Sequence, residues 1–573
     1  MVRKVEIIIT NIIYWDNHET TLFAVEELRR LMREAGYEST IGNRAVFIES
    51  DEYHNRIILI TANDYRALGN KANLITIKDD GFAFVRVDND VWIIGNEPRS
   101  ILYGVYGYCR NQFGYRWIEL DKESIVKPMS AVKAGLTIRE PLFARRGNIL
   151  ETINDPEYID SLIDWGVKNG HNEYFFTFFL WDDIKSYVTP ALQKRGVHVT
   201  LGGHSLSYLL KEIQKDADVN MLGQDEKLKF FAENTHLQDK VIDKIVAICL
   251  ENKVVTRISL WPEDIGIDEK NARGFLPTYI RFTEKLKVAL NGARLKVEVE
   301  YIVYNAGLSW NMLEREHQKE ASDRVDALYA YWGRDYSSGI DADEPRQVRA
   351  YRALRDWNEE TRKQARSLTV LEYYSDHFML SELFPPLLTR IQQDLLEYKQ
   401  LSINGVLNLI VPTHQKQLER MTNYPWKWIH HLNNYVYTRV AWGEKYEVVV
   451  EEYFAIFNED KVKLHNMLVE LEKLISQHTK WNVPLFPARV VDPEKVYEPA
   501  KHVMIPAYLG EVADWLSAWN LPEIESLLAI QTRDNYHAFT TKEMMLIYFY
   551  YLKKTAETYK DEWTLIGGLN DGL

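Results

Sequence analysis

Cysteine is nearly missing from this chain: Cys109 and Cys249 are the two thiols among 573 residues. Two are too few for a disulfide framework or a thiolate zinc site, so buried free thiols are expected. Long apolar runs are missing too, and none approaches the roughly 18 residues that a membrane-spanning helix needs. The opening stretch is basic and then apolar, but Glu6, Asn11 and Asp16 interrupt it and no small-residue cleavage site follows. It reads as a β-strand, and a cytoplasmic protein away from membranes is expected. Positive charge is in deficit, with 69 Lys and Arg against 83 Asp and Glu, a formal net charge of −14. Nucleic acids and anionic membranes require clustered cations, so small or neutral ligands are the expected partners. There is no Gly-x-Ser-x-Gly elbow, no complete phosphate-loop signature, no local metal motif and no internal repeat. A serine hydrolase has little support, and neither a metal nor an organic cofactor is expected.

What is present suits a large protein with several cores: 46% hydrophobic and 27% charged residues make two or three domains the sensible expectation. Residues 1–135 read as a small α/β domain. Its strands are placed at Lys4–Ile13, Arg56–Thr61, Leu74–Lys78, Gly81–Val87, Val91–Gly95 and Tyr115–Leu120, its helices at Thr21–Ala35 and Arg99–Phe113. Asp121–Gly135 reads as the linker to the next unit. Residues 136–420 alternate strands with helical stretches, which predicts a parallel sheet. Eight strand candidates in succession, the first Ala144–Leu150 and the last Gly405–Ile410, favour a closed (β/α)8 barrel over an open doubly wound sheet; both keep ligands at the carboxyl ends of the strands. Residues 421–573 read as a helical domain, whose apolar surface could pair with a second copy.

Chemistry is expected at those strand ends. After the fourth strand come Trp261, Glu263 and Asp264; on the seventh, alternation puts Glu372, Tyr374 and Asp376 on one face. Either that face lines the barrel interior or an acid points at the helix layer, which is the expensive option. Two carboxylates facing each other across a cleft suit glycosidic cleavage, one protonating the leaving oxygen and one attacking carbon or activating water. The plainer alternative is that Glu263 and Asp264 cap a helix and Glu372 makes a buried ion pair. Aromatic residues gather at the same ends, among them Trp181, Trp261, Tyr304, Trp310, Trp332, Tyr336, Tyr373 and Tyr374. Flat rings beside fixed polar groups suit a sugar pocket. Gly203-His204 after the third strand adds a hydroxyl-binding candidate.

Several of these motifs resemble glycoside hydrolase family 20 and the related α-glucuronidases of families 67 and 115. The segments Val91–Gly107 and Phe113–Ile118 are similar to the accessory domain that such enzymes carry. Arg146-Gly147 followed by Lys168-Asn169 is similar to the first strand and helix of the family 20 barrel, and Gly203-His204 stands where that family has Pro-Gly-His. Family 20 has an Asp-Glu pair after strand four, whereas here the order is Glu263-Asp264, which departs from the substrate-assisted pattern. An acid on strand seven matches the common arrangement of barrel glycosidases. The resemblance implies an exo-acting glycoside hydrolase on oligosaccharides, with Glu263 or Asp264 as acid and Glu372 as nucleophile or base. Arg146, His204, Trp261, Trp332, Asp335, Tyr374 and Asp376 are the expected substrate contacts, and Arg145 or Arg146 would hold a uronide carboxylate. On that reading Glu372→Gln lowers kcat by orders of magnitude. A noncatalytic carbohydrate-binding scaffold on a hydrolase-like fold is the alternative from another class.

Overall fold

The computed structural model describes residues 9–49, 55–69, 75–126, 135–215, 230–231, 235–263, 274–305, 313, 321–332, 334–376, 384–411, 427–475, 507–512, 514, 540–553 and 557. Asp264, Trp310, His377 and His414 lie outside them.

The N-terminal unit is a six-stranded sheet in the order β2-β1-β3-β5-β4-β8. Its strands are β1 (Thr10–Tyr14), β2 (Ser39–Asn43), β3 (Arg56–Thr61), β4 (Phe82–Val87), β5 (Asp90–Gly95) and β8 (Gly135–Arg139), with β6 (Tyr115–Arg116) and β7 (Ser124–Ile125) forming a separate pair. Alternation works here as expected. Ile12, Ile57, Leu59 and Ile93 face helices α1 (Glu19–Glu34) and α2 (Pro98–Gln112), while Ile13, Ile58, Ile60 and Ile94 join Trp92 in a second core on the opposite face. Two edge strands escape the sequence reading. β2 and β8 are half-exposed and carry little apolar signal, and β8 lies within what reads as linker. Residues 75–78, expected as a strand, are irregular.

The central unit is a closed parallel barrel of β9 (Arg145–Leu150), β10 (Glu173–Thr177), β11 (His198–Gly203), β12 (Val255–Leu260), β13 (Glu298–Tyr304), β14 (Asp326–Ala330), β15 (Leu368–Asp376) and β16 (Gly405–Val411). Each expected barrel strand is found within a few residues of its place. Helices between the strands follow local signals. In Pro156–Asn169, Asp155 accepts from the Tyr158 N–H, Pro156 opens the first turn, and Gly170 at φ 112° ends it in the left-handed region that favours glycine. Helix Lys427–Trp442, which reads as the start of the C-terminal domain, packs on β9, β15 and β16 and completes the barrel's outer layer. Tyr446–Phe454 and Lys461–Ile475 continue the helical region beyond it. Both cysteines are free and buried. Among the described residues no helix is long and apolar enough to cross a membrane.

Candidate active site

Hydrogen bonds show which way each barrel residue faces. Arg145 on β9 reaches Glu173 on β10, Glu300 on β13 and Thr369 on β15, so these four side chains meet inside the lumen near its amino end. Arg146 faces the other way. Its guanidinium donates to the carbonyls of Phe143 (2.6 Å) and Gly170 (2.9 Å) and to Asp80 Oδ2 (2.8 Å), and lies over the Trp442 ring. Asp80 also receives Arg99, so Arg146 fastens the N-terminal unit to the barrel's outer side. It does not line a sugar subsite. Arg145 is equally occupied, and neither guanidinium is available for a substrate carboxylate. The Lys168-Asn169 part of the motif is scaffold as well: Lys168 binds Asp164 and Glu123, and Asn169 binds the carbonyls of Trp117 and Trp165.

Strand β15 overturns a second expectation. Glu372 accepts from Arg334 Nη1 (2.7 Å), from the Tyr336 hydroxyl (2.7 Å) and from Tyr398 of the helix Leu388–Gln400. Tyr374 donates to Asp394 of the same helix at 3.3 Å. Both side chains therefore point into the helix layer, the orientation that costs most, and a guanidinium and phenols offset that cost. Burial pushes the Glu372 carboxyl above its ordinary range; Arg334 opposes the rise and Asp394 adds to it.

Asp376 does not follow them, because the strand register shifts between Glu372 and Ser375. Glu372 stands beside Asn408 and Ser375 beside Ile410, so Tyr373 and Tyr374 together span the place of Leu409. Ser375 Oγ accepts from the Asn408 side chain, which in turn binds Asn434 on the outer helix, so Ser375 also faces outward. Two successive outward residues leave the next one inward. Asp376, paired with Val411, is the strand-seven acid that faces the barrel mouth, and it is buried.

Around that mouth the described strand ends bring together several expected residues and some that were not. The His204 ring lies 5.3 Å from Trp261 and 6.3 Å from Tyr304, centroid to centroid. His204 Nδ1 lies 2.6 Å from the Pro262 carbonyl, which only accepts, so this nitrogen carries a proton. The Trp261 indole donates to Ser259 Oγ at 2.9 Å, holding the ring edge toward β12. Asn305 donates to the Trp332 carbonyl and accepts from its N–H, clamping the ends of β13 and β14 together. Asp335 accepts from the Ser337 N–H in a short local turn. Glu263 accepts from the Ser207 N–H at 2.8 Å, in the first turn of helix Leu206–Lys215.

One acid escaped the sequence reading. Glu151 directly follows β9, and its Oε1 would lie 3.4 Å from a Cβ on Gly203 of β11, so the carboxylate crosses over β10 toward His204. Its signal was present, since Arg145, Gly147, Ile149 and Glu151 alternate onto one face. Among the described residues no group of His, Cys, Asp and Glu could hold a metal ion.

Residues 2–108 match the glycosyl hydrolase family 67 N-terminus. Among solved structures the chain is similar to a GH138 enzyme targeting pectin rhamnogalacturonan II, with 11% identity and a TM-score of 0.59 over 96% of this chain and 69% of that one. It is similar to CpGH84D, with 12% identity and a TM-score of 0.50 over 96% of this chain and 91% of that one. A third similar structure is CpGH89 from Clostridium perfringens in complex with its substrate GlcNAc-alpha-1,4-galactose, with 12% identity and a TM-score of 0.50 over 97% of this chain and 62% of that one. No curated protein matches the sequence. The chain thus has the architecture of these distant glycoside hydrolases, an accessory α/β domain joined to a (β/α)8 barrel.

Proposed function

We propose that the chain is an exo-acting glycoside hydrolase of oligosaccharides in which Asp376, rather than Glu372, is the strand-seven carboxylate. The inward turn of Asp376 beyond the β15 register shift carries this reading. It supplies one of the two carboxylates that glycosidic cleavage needs, as nucleophile or as base for water. The other comes from the strand-four pair. In that pair Glu263 accepts from the Ser207 N–H at a helix start, and either Glu263 or Asp264 supplies the proton to the leaving oxygen. The His204, Trp261 and Tyr304 rings, with Trp332 beyond Asn305, offer flat faces for a terminal sugar. The three similar structures come from glycoside hydrolase families and two of them are named for glycan targets, which supports a carbohydrate substrate. Two free buried thiols suit a reducing compartment, the cytoplasm.

The test is turnover of a panel of aryl glycosides by the purified chain and by Asp376→Asn. Hydrolysis of at least one glycoside is expected, with kcat lowered about 1,000-fold or more in the variant, the order seen when a reacting group is removed. An Asp376→Asn enzyme as fast as the parent removes the assignment. Binding without turnover on every sugar favours the noncatalytic scaffold.

A further inference from the structure

The β15 shift is held by a side chain from the neighbouring strand's loop. A bulge takes a peptide out of the ladder and leaves its N–H needing a partner. Here the Tyr373 N–H donates to the Tyr336 hydroxyl oxygen at 3.2 Å, with Glu372 Oε2 as a longer second acceptor at 3.4 Å. Tyr336 follows β14, so it reaches the bulge from the strand-six loop. Its own O–H donates to Glu372 Oε2 at 2.7 Å. Glu372 Oε1 takes Arg334 Nη1 at 2.7 Å, and Arg334 Nη2 continues to Asp394 Oδ1 at 2.6 Å. The Arg334 guanidinium lies over the Tyr336 ring, 4.7 Å from its centroid. Arg334, Tyr336, Glu372, Asp394 and Tyr398 are all buried, so the phenol is seated away from bulk solvent.

A regular β15 would put Asp376 on the face of Glu372 and Tyr374, in the helix layer. We propose that Tyr336, seated by Glu372 and Arg334, is a positioning residue whose hydroxyl holds the bulge and so aims Asp376 into the barrel mouth. This rests on the reading of Asp376 as the reacting carboxylate. The phenol touches no substrate; it acts through the backbone two to three residues before the acid. Tyr398 is the internal control, since it donates to the same Glu372 but to no bulge peptide.

The experiment compares Tyr336→Phe, Tyr398→Phe, Asp376→Asn and the Tyr336→Phe/Asp376→Asn pair in the full chain, by steady-state kinetics and by crystal structures of the two phenylalanine variants. Tyr336→Phe is expected to lower kcat about 10- to 100-fold with KM within about two-fold, because a displaced acid harms the reacting state more than ground-state binding. Tyr398→Phe is expected to stay within about two-fold. The pair is expected to be no slower than Asp376→Asn alone, since an acid already removed cannot be misplaced. The Tyr336→Phe crystal structure is expected to show β15 with the shift lost or moved and Asp376 turned from the lumen. An unchanged bulge with unchanged kcat overturns the proposal, and so do equal losses in Tyr336→Phe and Tyr398→Phe. Should Tyr336→Phe not fold, Arg334→Lys, which loosens Glu372 and with it the seat of the Tyr336 hydroxyl, takes its position, and a shift in β15 with a fall in kcat and little change in KM is expected. If the parent cleaves no glycoside, the hydrolase reading falls, while the crystal structure still decides whether the phenol sets the bulge.

Discussion

Two of the buried ion clusters in the barrel wall are provisioned differently. At the floor of the lumen two guanidiniums, Arg145 and Arg257, serve Glu173, Glu300 and Asp326. Behind strand seven Arg334 stands between Glu372 and Asp394, with Arg390 3.8 Å from Asp394 as a more distant second cation. Burial opposes ionisation in both. On the floor the cations win: Glu173, gripped by both Nε and Nη2 of Arg145, is held down to about 2, and Arg257 lowers Asp326. Behind strand seven burial wins, and Glu372 is raised. The floor is a fixed ionic plug, whereas the outer cluster, with three phenols about its acids, is organised for hydrogen bonding. Charge at the floor keeps strands in register; hydroxyls at the outer cluster shape one strand.

The largest effect expected from this contrast is at Arg145. Arg145→Ala leaves Glu173 and Glu300 buried without their main cation, which should cost about 3–5 kcal/mol of stability, read as a fall in the urea midpoint at pH 7. Arg334→Ala should cost less, because Glu372 is already disposed to take up a proton. Equal losses would erase the distinction between the two clusters.

Next is the response to acid. A carboxyl whose folded pKa lies below its unfolded value contributes stability above the unfolded value and loses it as pH falls through the folded one. For Glu173 the window runs from the ordinary 4.5 down to about 2. The contribution should be on the order of 3 kcal/mol, lost progressively across that window in urea titrations. The Arg145→Ala chain should lack most of that acid slope. An identical slope in parent and variant would mean that Arg145 is not what keeps Glu173 ionised.

The same contrast explains what could be read from sequence. Apolar strands alternating with amphipathic helices announced the barrel, and all eight strands lie close to their expected places because most are continuous buried runs. Facing was harder. Barrel strands are buried on both sides, so hydrophobicity does not separate lumen from helix layer, and only polar residues mark the difference. At Arg145 and Arg146 either side was chemically acceptable, and the partners that decide, Glu300 and Asp80, lie far along the chain. Plain alternation put Glu372, Tyr374 and Asp376 on one face; a bulge held by Tyr336 from another strand separates them, and no local pattern near residue 373 signals it. Of the strand-four acids, Glu263 lies at the strand end where the sequence put it. The helix start that holds Glu263 came from the preceding strand's helix, where a reader looking downstream would miss it.

The smallest effect expected is the one that best separates the two readings of strand seven. Glu372→Gln keeps the side-chain shape and removes a charge that burial disfavours. The sign follows from the raised pKa: the protonated carboxyl is favoured in the folded state, so this group's contribution is fully present below its unfolded pKa and is lost as pH rises through the folded one. The glutamine oxygen still accepts from Arg334 and Tyr398. Its amide meets the Tyr336 oxygen, whose O–H must turn elsewhere, a loss of about 1 kcal/mol. Stability at pH 7 should therefore change by no more than about 1 kcal/mol in either direction, and the variant should lose less stability than the parent as pH rises above the ordinary carboxylate range. kcat should fall only a few-fold, because the hydroxyl that holds the bulge stays in its seat. A drop of about 1,000-fold with folding intact would restore Glu372 as the reacting acid and require its side chain to leave Arg334 for the lumen during turnover.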